Sequence, residues 1–136
     1  MMTATRAKIL VVDDDPDFRE AMTAILESAS YDVVTAINAA DGTQKILSEH
    51  PDLILLDIMM DSLFDGYSLC HAIRTSKEFE GVRATPIIFV SAVRQIAGSR
   101  FGFKGEEQGM TGPDDYIDKP VKPADLLARI ARFLKK

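Results

Sequence analysis

The fold turns on one stretch, Lys8-Ile9-Leu10-Val11-Val12-Asp13-Asp14-Asp15-Pro16. Ile9 to Val12 is an unbroken apolar run rich in β-branched side chains, the pattern of a strand covered on both faces. The run breaks directly into acids. Asp15 followed by Pro16 reads as a helix N-cap with proline at the first helical position, where an N–H is not needed. A strand buried on both sides that leads at once into a helix is the opening of a parallel βα repeat.

Outward from that stretch the alternation recurs. Phe18, Met22, Ile25, Leu26 and Ala29 follow at helical spacing. Residues 32–36 read as a second strand. Residues 39–49 read as a helix anchored by Ile46 and Leu47 and ended by Pro51. Residues 53–56 form a third strand, apolar on both faces. A third helix is expected over residues 66–77, burying Leu69, Cys70 and Ile73, then a fourth strand over 86–90 and a short fifth over 115–118. Pro123 opens a last helix with Leu126, Leu127, Ile130, Phe133 and Leu134 inward; Arg132, Lys135 and Lys136 suit the negative end of its dipole. The pattern predicts an α/β fold with a five-stranded, doubly wound parallel sheet. Right-handed crossovers favour the order 2-1-3-4-5. One segment breaks the rhythm. A helix is due between Val93 and Pro113, but Gly98, Gly102, Gly105, Gly109 and Gly112 fall there, each costing roughly 1 kcal/mol in a helix interior. A short helix at most, then a long loop, is expected.

Composition narrows the class. A chain of 136 residues with 46% hydrophobic and 27% charged residues is an ordinary globule rather than a disordered segment. The net charge of −5 argues against a DNA- or RNA-binding face, because phosphate recognition wants clustered Lys and Arg. The single cysteine, Cys70, excludes an internal disulfide and Cys-rich zinc sites. No apolar run approaches the ~18 residues of a membrane span, and residues 1–7 hold no signal-peptide core. A cytoplasmic location without membrane contact is the expectation. Residues 1–6 are expected to be a flexible N-terminus and 7–136 a single domain.

In such sheets the ligand site lies beyond the carboxy ends of the strands, at the switch between strands 1 and 3. The polar residues fall there. Strand 1 ends in Asp13 and Asp14, strand 3 in Asp57, strand 4 in Ser91, and strand 5 in Lys119. With neighbouring strands ~4.8 Å apart, Asp13, Asp14 and Asp57 should converge. Three carboxylates in one pocket repel, and a hard divalent cation bound through oxygen relieves that; Mg2+ or Mn2+ fits. Lys119 can reach across and offset part of the charge. A single acid at a strand end could merely cap an element, as Asp15 does, but a matched set at one sheet edge calls for a ligand.

The runs Ile9-Leu10-Val11-Val12-Asp13-Asp14, Leu53-Ile54-Leu55-Leu56-Asp57, Ile87-Ile88-Phe89-Val90-Ser91-Ala92 and Tyr116-Ile117-Asp118-Lys119-Pro120 resemble the receiver domain of two-component response regulators, of the single-domain chemotaxis-receiver kind, across nearly the whole chain. The resemblance implies a flavodoxin-like fold. It implies that Asp57 is the phosphoacceptor, that Asp14, Asp57 and the Met59 carbonyl ligate Mg2+, and that Asp13 holds metal-bound water. Ser91 and Lys119 would contact the phosphoryl oxygens, and Tyr116 would match the aromatic switch residue, though it could simply pack. Met59 and Val93 would occupy the positions that tune hydrolysis; neither can hydrogen-bond an attacking water, so a slowly decaying phosphoryl group is expected.

Some features depart from the family pattern. Asp61 stands where proline is usual, in a stretch one residue longer than usual before Asp65-Gly66. The segment from Ser91 to Lys119 is also long, and its Phe101, Phe103 and Met110 could form a partner surface or pin the loop. Gly105 is not followed by Lys-Ser/Thr, so the loop is no P-loop. His50 and His71 read as ordinary surface or packing residues.

The sequence therefore predicts a stand-alone, non-enzymatic receiver. It would accept a phosphoryl group on Asp57 from a histidine kinase or histidine phosphotransfer protein and switch a protein-binding face toward an unnamed partner, without binding DNA directly. A phosphorylation-independent interaction module and a Mg2+-dependent phosphatase are the alternatives. The length is expected to leave no room for an output domain.

Overall fold

The computed structural model describes residues 6–58, 65–91 and 113–134. Strands β1 (Lys8–Val12), β2 (Asp32–Ala36), β3 (Leu53–Leu56), β4 (Ile87–Ser91) and β5 (Asp115–Asp118) form one parallel sheet in the order β2-β1-β3-β4-β5. Helices α1 (Pro16–Ser28), α2 (Ala39–Glu49), α3 (Asp65–Thr75) and α4 (Pro123–Leu134) cover it.

The period-2 alternation of each strand divides the core in two. Leu10, Val12, Ile54, Leu56, Ile87 and Phe89 face one way and pack with Ile46 of α2 and Leu69, Cys70 and Ile73 of α3. Ile9, Val11, Leu53, Leu55, Ile88 and Val90 face the other way, toward Met22 and Leu26 of α1 and Leu126 and Ile130 of α4. The central strands β1 and β3 are buried on both sides, as their unbroken apolar runs require, while the edge strand β2 stays half-buried. Among the described residues no helix is long and apolar enough to cross a membrane.

The helix starts follow local chemistry. The Asp15 carboxylate accepts the Asp17 N–H at 3.0 Å with Pro16 next in line, and Asn38 accepts the Asp41 N–H at 2.8 Å at the start of α2. At the end of α2, His50 takes a left-handed conformation (φ 49°) and its N–H returns to the Ile46 carbonyl.

Two expectations need correction. Leu47 does not anchor α2: it is 38% exposed, because the buried stripe runs through Gly42 and Ile46 and leaves Leu47 a hundred degrees away. The third helix does not reach residue 77. It ends at Thr75, Ser76 is extended, and a 3₁₀ helix follows over Lys77–Val82. That segment is kinked at Phe79 (φ −103°, ψ 17°), and Phe79 and Val82 are both buried. The expected Gly-rich loop over 93–113, with Phe101, Phe103 and Met110, lies almost wholly outside the described residues, as do Asp61, Lys135 and Lys136.

Candidate functional site

The ladder of the sheet continues one step past the strands and builds the site. The Asp13 N–H donates to the Ala36 carbonyl at 3.1 Å and the Asp57 N–H to the Val12 carbonyl at 3.0 Å. Both acids are therefore held by backbone bonds at the carboxy edge, side by side on adjacent strands. Both are buried, Asp13 to 1% and Asp57 to 5% exposure, while Asp14 is exposed. One carboxylate oxygen from each of Asp13, Asp14 and Asp57 lies within 4.8 Å of the others. That set is all oxygen and all anionic, with one member open to solvent, which fits a hard divalent cation that keeps several waters.

Lys119 leaves the end of β5, just before a cis bond to Pro120, and reaches into the cluster. Its ammonium donates to Asp13 Oδ2 at 3.0 Å and lies 3.8 Å from Asp57 Oδ2. Asp13 Oδ1 meanwhile accepts the Asp15 N–H at 3.0 Å, so the carboxylate also orders the turn into α1.

Three residues at the site escaped the sequence reading. Phe18 was placed by helical spacing alone, yet the Lys119 ammonium sits 4.2 Å from its ring centroid. Arg19 donates to the Asp13 carbonyl at 2.8 Å and so ties α1 to the acidic turn. Gly66 donates its N–H to the Ile58 carbonyl at 3.0 Å, and a Cβ there would collide with the Asp57 carbonyl and stand 2.8 Å from the Ile58 Cα. Only glycine lets α3 start this close to the Asp57 backbone. The signal available was position: Phe18 and Arg19 lie just after the run of acids, and Gly66 is the second residue of α3.

Tyr116 is half-buried on β5, in register with Phe89, and packs against the core on the α2 and α3 side. Ser91 closes β4 in register with Asp118 and is described by its backbone alone. Met59 and Val93 lie outside the described residues. His50, at the end of α2, and His71, on α3, are both exposed. Burial pushes the Cys70 thiol up to about 12, which leaves it an inert core residue.

Residues 9–131 match the family model for the response regulator receiver domain. This chain belongs to that family. Receiver domains serve two-component signalling, and they bind Mg2+ at an acidic pocket such as the one formed by Asp13, Asp14 and Asp57. Among solved structures, the receiver domain of the sensor histidine kinase PA1611 from Pseudomonas aeruginosa PAO1, which holds a magnesium ion in its active site cleft, superposes with a TM-score of 0.76 at 26% identity, covering 97% of this chain and 100% of that one. Among curated proteins, the probable transcriptional regulator ycf27 of Cyanophora paradoxa is 35% identical over 99% of this chain and 51% of its own length. The DNA-binding dual master transcriptional regulator RpaA of a Synechocystis strain is 32% identical over 95% of this chain and 49% of its own length.

This receiver thus spans about half the length of these two curated relatives. That finding overturns the expectation of no direct DNA binding, which rested on the charge of this chain alone. Acidity excludes a phosphate-binding face only on the residues it describes, and these relatives are transcriptional regulators whose other half lies beyond the match.

Proposed function

We propose that this receiver is a phosphorylation-operated signalling switch in which Asp57 accepts a phosphoryl group from a phosphohistidine donor. The observation that carries the reading is the buried Asp57 carboxylate held beside Asp13, with the Lys119 ammonium reaching both. A carboxylate oxygen of Asp57 attacks phosphorus, the new O–P bond forms as the donor's N–P bond breaks, and the electron pair leaves with the imidazole. Asp14 and Asp57, with the Met59 carbonyl, would hold Mg2+ or Mn2+, and Asp13 would hold a water on it; a bound cation would supply charge neutralisation for the transferring group. Lys119 and Ser91 contact the phosphoryl oxygens after transfer, which reduces the charge that Asp13 and Asp14 must otherwise face. Movement of Ser91 toward the phosphoryl group gives Tyr116 a second position and changes the face around β4 and β5. No external substrate is turned over: the chain is its own substrate. Apolar Met59 and Val93 leave the attacking water without a side-chain partner, and the phosphoryl group decays slowly.

Incubation with Mg2+ and labelled acetyl phosphate tests the reading. One label per chain is expected, stable on the timescale of purification, and none on Asp57→Asn. Labelling of Asp57→Asn to the same extent, or steady turnover of the donor without a stable label, overturns it.

A further inference from the structure

We infer that Phe18 is a positioning residue: its ring face is the seat that keeps the Lys119 ammonium inside the pocket when the carboxylates are engaged elsewhere. The inference rests on the phosphoacceptor reading of Asp57 and adds a component to it. Among the described residues, Lys119 Nζ lies 3.0 Å from Asp13 Oδ2, 3.8 Å from Asp57 Oδ2 and 4.2 Å from the Phe18 ring centroid. Two of these are oxygens of the same carboxylates that form the candidate cation site. Their lone pairs turned toward a divalent cation hold the ammonium less strongly. The ring face is not in that competition, because a hard cation prefers oxygen and a phenyl quadrupole attracts an ammonium without ionising.

The two partners also differ in rigidity. Phe18 stands on the first turn of α1, which is anchored by the Asp15 cap and by Arg19, whose guanidinium holds the Asp13 carbonyl at 2.8 Å. Its ring packs partly against the core beneath α1 and α4. Lys119 ends on a flexible four-carbon stem whose side chain is 25% exposed, so water is the alternative position for its ammonium. A fixed aromatic platform beside a mobile ammonium keeps the cation where an incoming phosphoryl oxygen will need it, before that oxygen arrives.

Two readouts test this. Without any donor, the Lys119 ε-methylene protons should resonate upfield of ordinary lysine ε-methylenes because of the ring current. The offset should persist at saturating Mg2+ and vanish in Phe18→Leu. With acetyl phosphate and saturating Mg2+, Phe18→Leu should take label about three- to ten-fold more slowly. Phe18→Tyr should stay within about two-fold of the parent, since it keeps the ring face. The Mg2+ midpoint should be the same in all. Phe18→Met replaces the leucine variant if that one does not fold. An offset that disappears on adding Mg2+, a leucine variant labelled at the parental rate, a tyrosine variant as slow as leucine, or a shifted Mg2+ midpoint overturns the proposal. If the parent takes no label, or Asp57→Asn takes it equally, the phosphoacceptor reading fails, and the methylene offset still decides the role of Phe18.

Discussion

The two edges of the sheet treat their acids in opposite ways. At the amino edge four acids each have a base against them. Arg74 meets Asp114 at 2.7 Å, Arg129 meets Asp115 at 2.8 Å, Lys8 meets Glu49 at 2.9 Å, and Arg6 meets Asp32 at 3.4 Å. At the carboxy edge Asp13, Asp14 and Asp57 crowd within 4.8 Å, and Lys119 is the ammonium that reaches into them. The first edge is balanced by its own side chains and holds loops in place. The second is left with excess negative charge, and a pocket in that state suits a cation from solution. What separates structural acids from functional ones in this molecule is local charge balance, which composition alone does not report.

The largest effect that should follow belongs to the balanced edge. Arg74, whose side chain is 9% exposed, donates to the carbonyls of Arg83 and Thr85 and pairs with Asp114, and Asp114 in turn accepts the Ile87 N–H at 2.9 Å. One guanidinium thus ties the end of α3 to the entrances of β4 and β5. Arg74→Met keeps the stem but strips these carbonyls and the carboxylate of their donor. It should lower unfolding free energy by about 2–4 kcal/mol in denaturant titrations, with Mg2+ affinity unchanged. A loss below about 0.5 kcal/mol would show that this edge is not held by its ion pairs.

A matched pair of substitutions sharpens the contrast, because the same chemical change should have opposite signs at the two edges. Asp114→Asn weakens the Arg74 clamp and should destabilise by about 1 kcal/mol. Asp14→Asn removes one of the crowded carboxylates. The two that remain still outweigh Lys119, so the metal-free protein should gain up to about 0.5–1 kcal/mol, the low end being favoured by the exposure of Asp14 to screening water. The stabilisation of about 2.7 kcal/mol that Mg2+ gives at a hundred times its dissociation constant should be retained in Asp114→Asn and lost at the same concentration in Asp14→Asn. Destabilisation of the metal-free protein by Asp14→Asn would show that the crowding is not a cost.

Much of this arrangement was legible in the sequence because its signals are short-range. The run Ile9 to Val12, the Asp15-Pro16 cap and the strand-end positions of Asp57 and Lys119 each depend on a few neighbours, and the switch-point rule converts them into a site. The rest depends on neighbours far along the chain. Leu47 is apolar, but only the place of β1 against α2 decides that Gly42 and Ile46 face inward instead. Phe79 and Val82 are buried in a turn whose far end, residues 83 and 85, is tied back to Arg74. Phe18 looks like any helix-face aromatic until Lys119, a hundred residues later, arrives above it. The exclusion of DNA binding failed for a different reason: charge was counted over one half of what the relatives carry.

The smallest expected effect lies in the Lys8–Glu49 pair, and it shows how a balanced acid behaves. A hydrogen bond from the Lys8 ammonium, reinforced by its charge and more weakly by that of Lys45, holds the Glu49 carboxyl below its ordinary value of 4.5. A carboxyl lowered on folding contributes stability that is fully present above its unfolded pKa and is lost as pH falls through the lowered folded value. Followed by NMR, Glu49 should therefore titrate below 4.5 in the parent and return toward 4.5 in Lys8→Met. The shift should shrink in high salt, because the pair is partly open to water. It should also be indifferent to Mg2+, since Lys8 already occupies the position a cation would take. A Glu49 titration that moved with Mg2+ would mean that the amino edge, too, answers to cations from solution, and the distinction between the two edges would then be one of degree.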